Sequence, residues 1–219
     1  MNRILNATKL DFLASMSSLK LAAIFMILAA VVGLASHGPD YTMMIMMVFG
    51  VTSCGSIFSI HEKSHSDKLY GILPLKKTEM IAGRYLYALI IGVVYVIVAS
   101  ILGAIMSNVM NANMTTLTYW VTIGVECFYY CFAVGITYPI YLRFTFAKAY
   151  VFTMIPMYII VVAFLIITRK TDLTSTLSQA IKFFTAHLYL APIFGILGGL
   201  LLLLISALIA NLIYTRKEI

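Results

Sequence analysis

The stretch Tyr41-Thr-Met-Met-Ile-Met-Met-Val-Phe-Gly50-Val-Thr-Ser-Cys-Gly-Ser-Ile-Phe-Ser-Ile60 runs twenty residues without a charge, and His61-Glu-Lys-Ser-His65 follows at once. An α-helix rises 1.5 Å per residue, so about 20 such residues cross a hydrocarbon core of roughly 30 Å. The abrupt return of charge marks where the helix leaves the lipid. Working outward, five more apolar runs read the same way: Leu19 to Ser36, Tyr85 to Ser107, Leu117 to Ile140, Ala149 to Thr168 and Leu188 to Tyr214. Of the 219 residues, 62% are hydrophobic and 11% charged, and the mean hydropathy is +1.00, far from an ordinary soluble domain. The reading is an all-α integral membrane protein of six transmembrane helices, one transmembrane domain over residues 1–219, with nothing sizeable left for a soluble domain.

The placement of Lys and Arg sets an orientation. Arg3, Lys9 and Lys20 precede or open the first span. Lys63, Lys68, Lys76, Lys77 and Arg84 fill the link between the second and third. Arg143 and Lys148 lie between the fourth and fifth, and Arg216 and Lys217 follow the sixth. The opposite side has Arg169, Lys170 and Lys182. Both termini are therefore expected in the cytoplasm. This bias accounts for the net charge of +7, and the basic residues are scattered along membrane borders, so no nucleic-acid partner is expected. The first run does not read as a cleavable signal, because Asn6, Asp11 and several serines precede it without a cleavage pattern. Cys54, Cys127 and Cys131 all fall in apolar runs and read as small buried hydrophobes.

Before the first span, residues 1–18 place Leu5, Phe12 and Met16 at near-helical spacing, continued by Leu19, with Asn6, Lys9, Asp11 and Ser17 elsewhere round the helix. That pattern suits an interfacial helix on the inner leaflet, or equally a helical extension of the first span. On the outer side, residues 169–190 form an amphipathic segment through Leu173, Leu177, Ile181, Phe184 and Leu188. Small residues recur in the second run at Gly50, Ser53, Cys54, Gly55 and Ser56, and in the sixth as Gly195-x-x-x-Gly199 with Ser206 and Ala210. Such positions let helices approach closely, and packing within the chain is favoured over a dedicated dimer face.

His61-Glu-Lys-Ser-His65 satisfies the H-E-x-x-H pattern in which two histidines one turn apart hold zinc and the glutamate serves as general base. A catalytic zinc needs a third ligand, and none is obvious. Asp67 lies about 200° round a helix from His65. Glu126 sits roughly 21 Å from the cytoplasmic end of its span. Nothing requires Glu79 to return to the site. Neither a Glu-x-x-x-Asp nor a Leu-Asp-Gly element accompanies the motif, and Lys63 between the two histidines opposes a cation. A membrane zinc protease is therefore the alternative reading, and no metal site is assigned.

The whole link, residues 61–84, supports another reading. Glu62-Lys63 opens it, Leu73-Pro74 follows about ten residues later, then Lys76-Lys77 and Ile81, and Arg84-Tyr85-Leu86 closes it. This resembles the link after the second span in type-2 permeases of ATP-binding-cassette (ABC) transporters, especially a small six-span bacterial subfamily that includes the phenol-soluble-modulin exporter permeases. The resemblance implies a cytoplasmic coupling helix seated on a partner ATPase, with Glu62, Lys63, Asp67 and Lys68 giving register, Leu69 and Tyr70 anchoring, and Pro74 ending the helix. It also implies two cytoplasmic ABC ATPase subunits that carry ATP and magnesium, a second permease subunit, identical or homologous, and a bacterial plasma-membrane location. The chain has no G-x-x-x-x-G-K-S/T of its own, so the motor is expected on a separate polypeptide and no cofactor in this chain.

Glu126 is the one acidic residue deep in a span, which is by default a functional position. Tyr119, Thr122, Glu126 and Tyr129 or Tyr130 lie on or near one helical face and are the expected substrate path, where a carboxylate and tyrosine rings would meet a cationic amphipathic peptide. The bland alternative is a carboxyl that glues helices together through a tyrosine. The expected function is export of amphipathic or antimicrobial-type peptides, on the subfamily resemblance alone.

Overall fold

The structure is a computed structural model that describes residues 2–36, 38–64, 77–111, 115–152 and 188–215. Every element in them is helical: α1 (Asn2–Ser36), α2 (Pro39–Lys63), α3 (Lys77–Val109), α4 (Thr116–Arg143), a helical stretch at 146–152, and a 3-10 turn (Leu188–Leu190) leading into α5 (Ala191–Thr215). Local chemistry places the ends. Pro39 opens α2, where a missing N–H costs nothing, with Asp40 beside it in the first turn. The Thr115 hydroxyl accepts from the Thr118 N–H at 3.2 Å and caps α4. Past the end of α3, Asn111 takes the left-handed conformation, φ 52°, that asparagine tolerates at a helix stop.

Four helices among the described residues are long and apolar enough to cross a membrane: Pro39–Lys63, Thr78–Val109, Thr116–Arg143 and Pro192–Tyr214. They fall on the second, third, fourth and sixth expected spans. The apolar stretch Ile24–Ala35 of α1 falls on the first. Of the fifth expected span only 149–152 lies within the described residues, and most of the outer-face segment, 169–187, lies outside them.

α1 is a single unbroken helix of 35 residues, about 52 Å long. Its first half is inside-out by the standards of a soluble protein. Thr8, Asp11 and Ser15 form the buried stripe, while Leu5, Leu13 and Met16 are exposed. α3 and α5 repeat the theme with outward Val93, Ile97 and Ile101, and Leu204, Leu208 and Leu212. Apolar side chains turned outward suit lipid, where the hydrophobic effect no longer drives helices together and association rests on close packing and hydrogen bonds.

Both devices appear where α4 meets α5, its most extensive neighbour. A methyl group added to Gly195 would collide with the Gly124 carbonyl oxygen, and one added to Gly124 with Pro192. Gly199 packs on Cys131, whose Cβ would lie 3.0 Å from such a methyl. Gly50 and Gly55 of α2 receive the rings of Tyr95 and Tyr141. The small residues of both runs thus serve packing within the chain. Further along, Pro139 lies inside α4 and has no N–H to give the Gly135 carbonyl. The Ser206 hydroxyl of α5 donates to that carbonyl at 2.6 Å and accepts from the Tyr85 hydroxyl of α3 at 2.7 Å. A backbone group freed by proline is satisfied by a neighbouring helix, as the absence of water in lipid demands.

Candidate functional site

The N-terminal half of α1, the end of α2, the beginning of α3 and the end of α4 meet at one end of the bundle. Exposed Arg3, Lys9, Lys63, Arg143 and Lys148 collect there. Two contacts fasten α1 to the two sides of the 61–84 link. The Asp11 carboxylate lies 3.0 Å from His61 Nε2, and both residues are buried, 1% and 6% exposed. One turn earlier, the Thr8 hydroxyl reaches the Gly83 carbonyl of α3 at 3.1 Å, sharing its proton with Ile4 O of its own helix. Gly83 permits this approach, because a methyl group there would stand 2.8 Å from Ala7 Cβ. Ser15, one turn further, is buried on the same stripe and donates to the Phe12 carbonyl of its own helix at 2.9 Å. His61 and Gly83 are thus held by the same stripe of α1.

The other face of α2 meets α4. Phe58 and Glu62 are one turn apart, so they point the same way. The Phe58 ring packs on Tyr138 and Tyr141, each with centroids 5.1 Å away, and carries the Arg84 guanidinium 4.9 Å above it. Tyr138 continues to Tyr85 at 5.1 Å, and Tyr141 to Phe146 at 5.2 Å, which packs on Tyr150 at 5.6 Å. This aromatic ladder spans α3, α4, α2 and the next helix. At its far rung Glu62 Oε2 accepts the Phe146 N–H at 2.6 Å. Only Phe144 and Thr145 separate α4 from the helical stretch at 146–152, so the carboxylate caps one of the unpaired N–H groups with which a helix begins.

Residues 9–215 match the family described as ABC-2 family transporter protein. The chain belongs to the ABC-2 transporter family. No curated protein and no solved structure matches it. Membership of the ABC-2 family makes the chain a multi-pass membrane protein of the permease type and implies association with ABC ATPases. The zinc-protease alternative finds no support: among the described residues no three of His, Cys, Asp and Glu gather as a metal site, and His61 faces Asp11.

Of the residues expected to couple the ABC-2 permease to its motor, Glu62 and Lys63 stand exposed at the end of α2. Asp67, Lys68, Leu69, Tyr70 and Pro74 lie outside the described residues, as does His65. The expected substrate-path residues separate into two groups. Tyr119 donates to the Ser100 carbonyl, Tyr130 to the Ala88 carbonyl at 2.6 Å while Cys54 Sγ lies 2.9 Å from its oxygen, and Thr122 to Thr118 O of its own helix. These three bind helix to helix or cap their own turn. Glu126 Oε1 and the Tyr129 hydroxyl, three residues apart on α4, are instead buried without a hydrogen-bond partner among the described residues.

The sequence alone does not bring Asp11 or Phe146 into the site, and it gives Arg84 only as the basic residue that closes the link. For Asp11 the signal was present, since Thr8, Asp11 and Ser15 are spaced as one helical face. Nothing local to Phe146 announces that its backbone N–H is the group that matters.

Proposed function

We propose that this chain is the permease subunit of an ABC exporter of bacterial plasma membranes, with both termini cytoplasmic and the first half of α1 at the inner interface. The family match over residues 9–215 carries the reading. Two ATPase subunits, with ATP and magnesium, engage a permease dimer through the 61–84 link, in which Lys63, Asp67 and Lys68 supply charge, Leu69 and Tyr70 anchor, Glu62 stands at the root and Pro74 ends the helix. ATP-driven closure of the motor pushes on the link, the spans rearrange, and hydrolysis resets them. The cargo is an amphipathic peptide of cationic character, and the path runs along α4, where Glu126 and Tyr129 offer buried oxygens to a cation while Tyr119, Thr122 and Tyr130 shape its wall.

The test is co-purification with the ABC ATPases of the same genome, followed by ATP turnover in liposomes for the wild type and for Lys63→Ala with Lys68→Ala. A stable complex whose turnover falls at least about tenfold in the double variant supports the reading. Failure of every such ATPase to bind, together with stoichiometric zinc on the isolated chain, would overturn it in favour of the protease.

A further inference from the structure

The dipeptide His61-Glu62 stands where the link leaves α2, and its two side chains point to different helices. His61 meets Asp11 of α1 in a buried pair at 3.0 Å. Glu62 meets the Phe146 N–H at 2.6 Å, at the two-residue junction between α4 and the helix that follows. Neighbouring helical residues diverge by about 100°, so one short segment of backbone holds two helices at once. We propose that His61 and Glu62 are a two-armed clasp, positioning residues that divide the displacement of the link between α1 and the helix beginning at Phe146. The clasp rests on the exporter reading, because the displacement it divides is the one an ATPase imposes.

Three features of the geometry favour a clasp over a surface grip. The Glu62 oxygen is already committed inside the chain, in a bond from backbone N–H to carboxylate of the short, charge-assisted kind. The aromatic ladder behind it, Phe58 to Tyr141 to Phe146, stiffens the same connection, so motion at the end of α2 is carried to residue 146 by packed rings as well as by the carboxylate. On the other arm, Thr8 fastens α1 to Gly83 on the far side of the link, so α1 follows the link from both of its roots. The H-E of the apparent zinc motif thereby acquires a use that needs no metal.

The arms can be tested separately by hydrogen exchange on the permease–ATPase complex, nucleotide-free and trapped with magnesium, ATP and vanadate. In the wild type, trapping changes exchange both at 5–15 and at 144–150. Glu62→Ala is expected to exchange about fivefold faster at 144–150 as befits a lost N-terminal cap, and to show a weakened trapping response there, with the part carried by the aromatic ladder remaining, while keeping the response at 5–15. Glu62→Gln retains an acceptor oxygen and recovers part of that response. His61→Ala shows the converse pattern, weakening the response at 5–15 to the share that Thr8 carries and leaving that at 144–150 intact, and Asp11→Ala combined with His61→Leu serves if that variant does not fold. A tenfold or greater loss of ATPase affinity in Glu62→Ala, with the response at 144–150 intact, would overturn the clasp and make Glu62 a partner contact. Loss of both responses in either single variant would equally refute the division into arms. Should the wild-type chain bind no ATPase, the exporter reading falls first and the clasp with it.

Discussion

Replacing Ser206 by alanine removes one hydroxyl and disturbs three helices. In the native bundle that hydroxyl accepts from Tyr85 and donates to Gly135 O, at 2.7 and 2.6 Å, with Ser206 and Tyr85 only 5% and 6% exposed. A buried group stripped of its partner costs about 1–3 kcal/mol, whereas hydroxyl bonds between membrane helices average about 0.6 and reach about 1.7 kcal/mol. Two such bonds lost together therefore cost about 2 kcal/mol, or about 4–8 °C in melting temperature for a chain of this size. The Gly135 share exists only because Pro139 withholds its N–H. Pro139→Ala restores the helical bond to Gly135 O, so in that background Ser206→Ala should cost about 1 kcal/mol, the Tyr85 share alone. Equilibrium unfolding in mixed micelles, followed through the single tryptophan, Trp120, measures all four corners of the cycle. If Ser206→Ala costs the same with and without Pro139, to within about 0.5 kcal/mol, the hydroxyl does not serve the freed carbonyl and the account is wrong.

Gly195→Ala should destabilise by about 1–3 kcal/mol, since the new methyl meets backbone of α4 that cannot rotate away. Gly198→Ala, whose methyl would find only the Phe128 ring at 3.6 Å, should be neutral or slightly stabilising, and thermal stability of the two side by side decides the matter. Asp11→Ala leaves the buried Nε2 of His61 without its partner and should cost about 1–3 kcal/mol, with much of that loss recovered when His61 is replaced by leucine as well; unfolding free energies that simply add would refute the pairing. Gly83→Leu should loosen α1 from α3, read as faster proteolysis of the first twenty residues or so, because the larger side chain must displace Ala7.

Hydropathy alone was enough to find α2 to α5, because crossing lipid demands a run of apolar residues whose length and lack of charge show in the sequence. The inner end of α2 is legible from the charges after Ile60, while its start lies at Pro39, two residues before the apolar run at Tyr41. What hydropathy could not provide was direction. An amphipathic first half of α1 fits a leaflet surface or a bundle equally well by periodicity. The contacts of Thr8 and Asp11 determine which face turns inward. Gly124 and Gly135 form no small-residue motif along α4, because the close approach joins Gly195 of α5 to Gly124 of α4 across two helices. Glu62 was singled out for its charge, yet its acceptor role became visible only once Phe146, 84 residues away, was brought beside it. Backbone donors have no letter in a sequence.

The buried pair of Asp11 and His61 also bears on how the chain is made. The two residues are 50 positions apart, and at roughly 5–20 residues per second the ribosome produces the second about 3–10 s after the first. Throughout that interval the carboxylate of α1 has no histidine to meet, and an isolated charge in hydrocarbon is expensive. α1 must therefore wait with its Thr8–Asp11–Ser15 stripe turned to water or lipid headgroups, and only the arrival of α2 lets that stripe close. Assembly at this end of the protein is timed by translation: the first helix cannot settle until the second has been delivered.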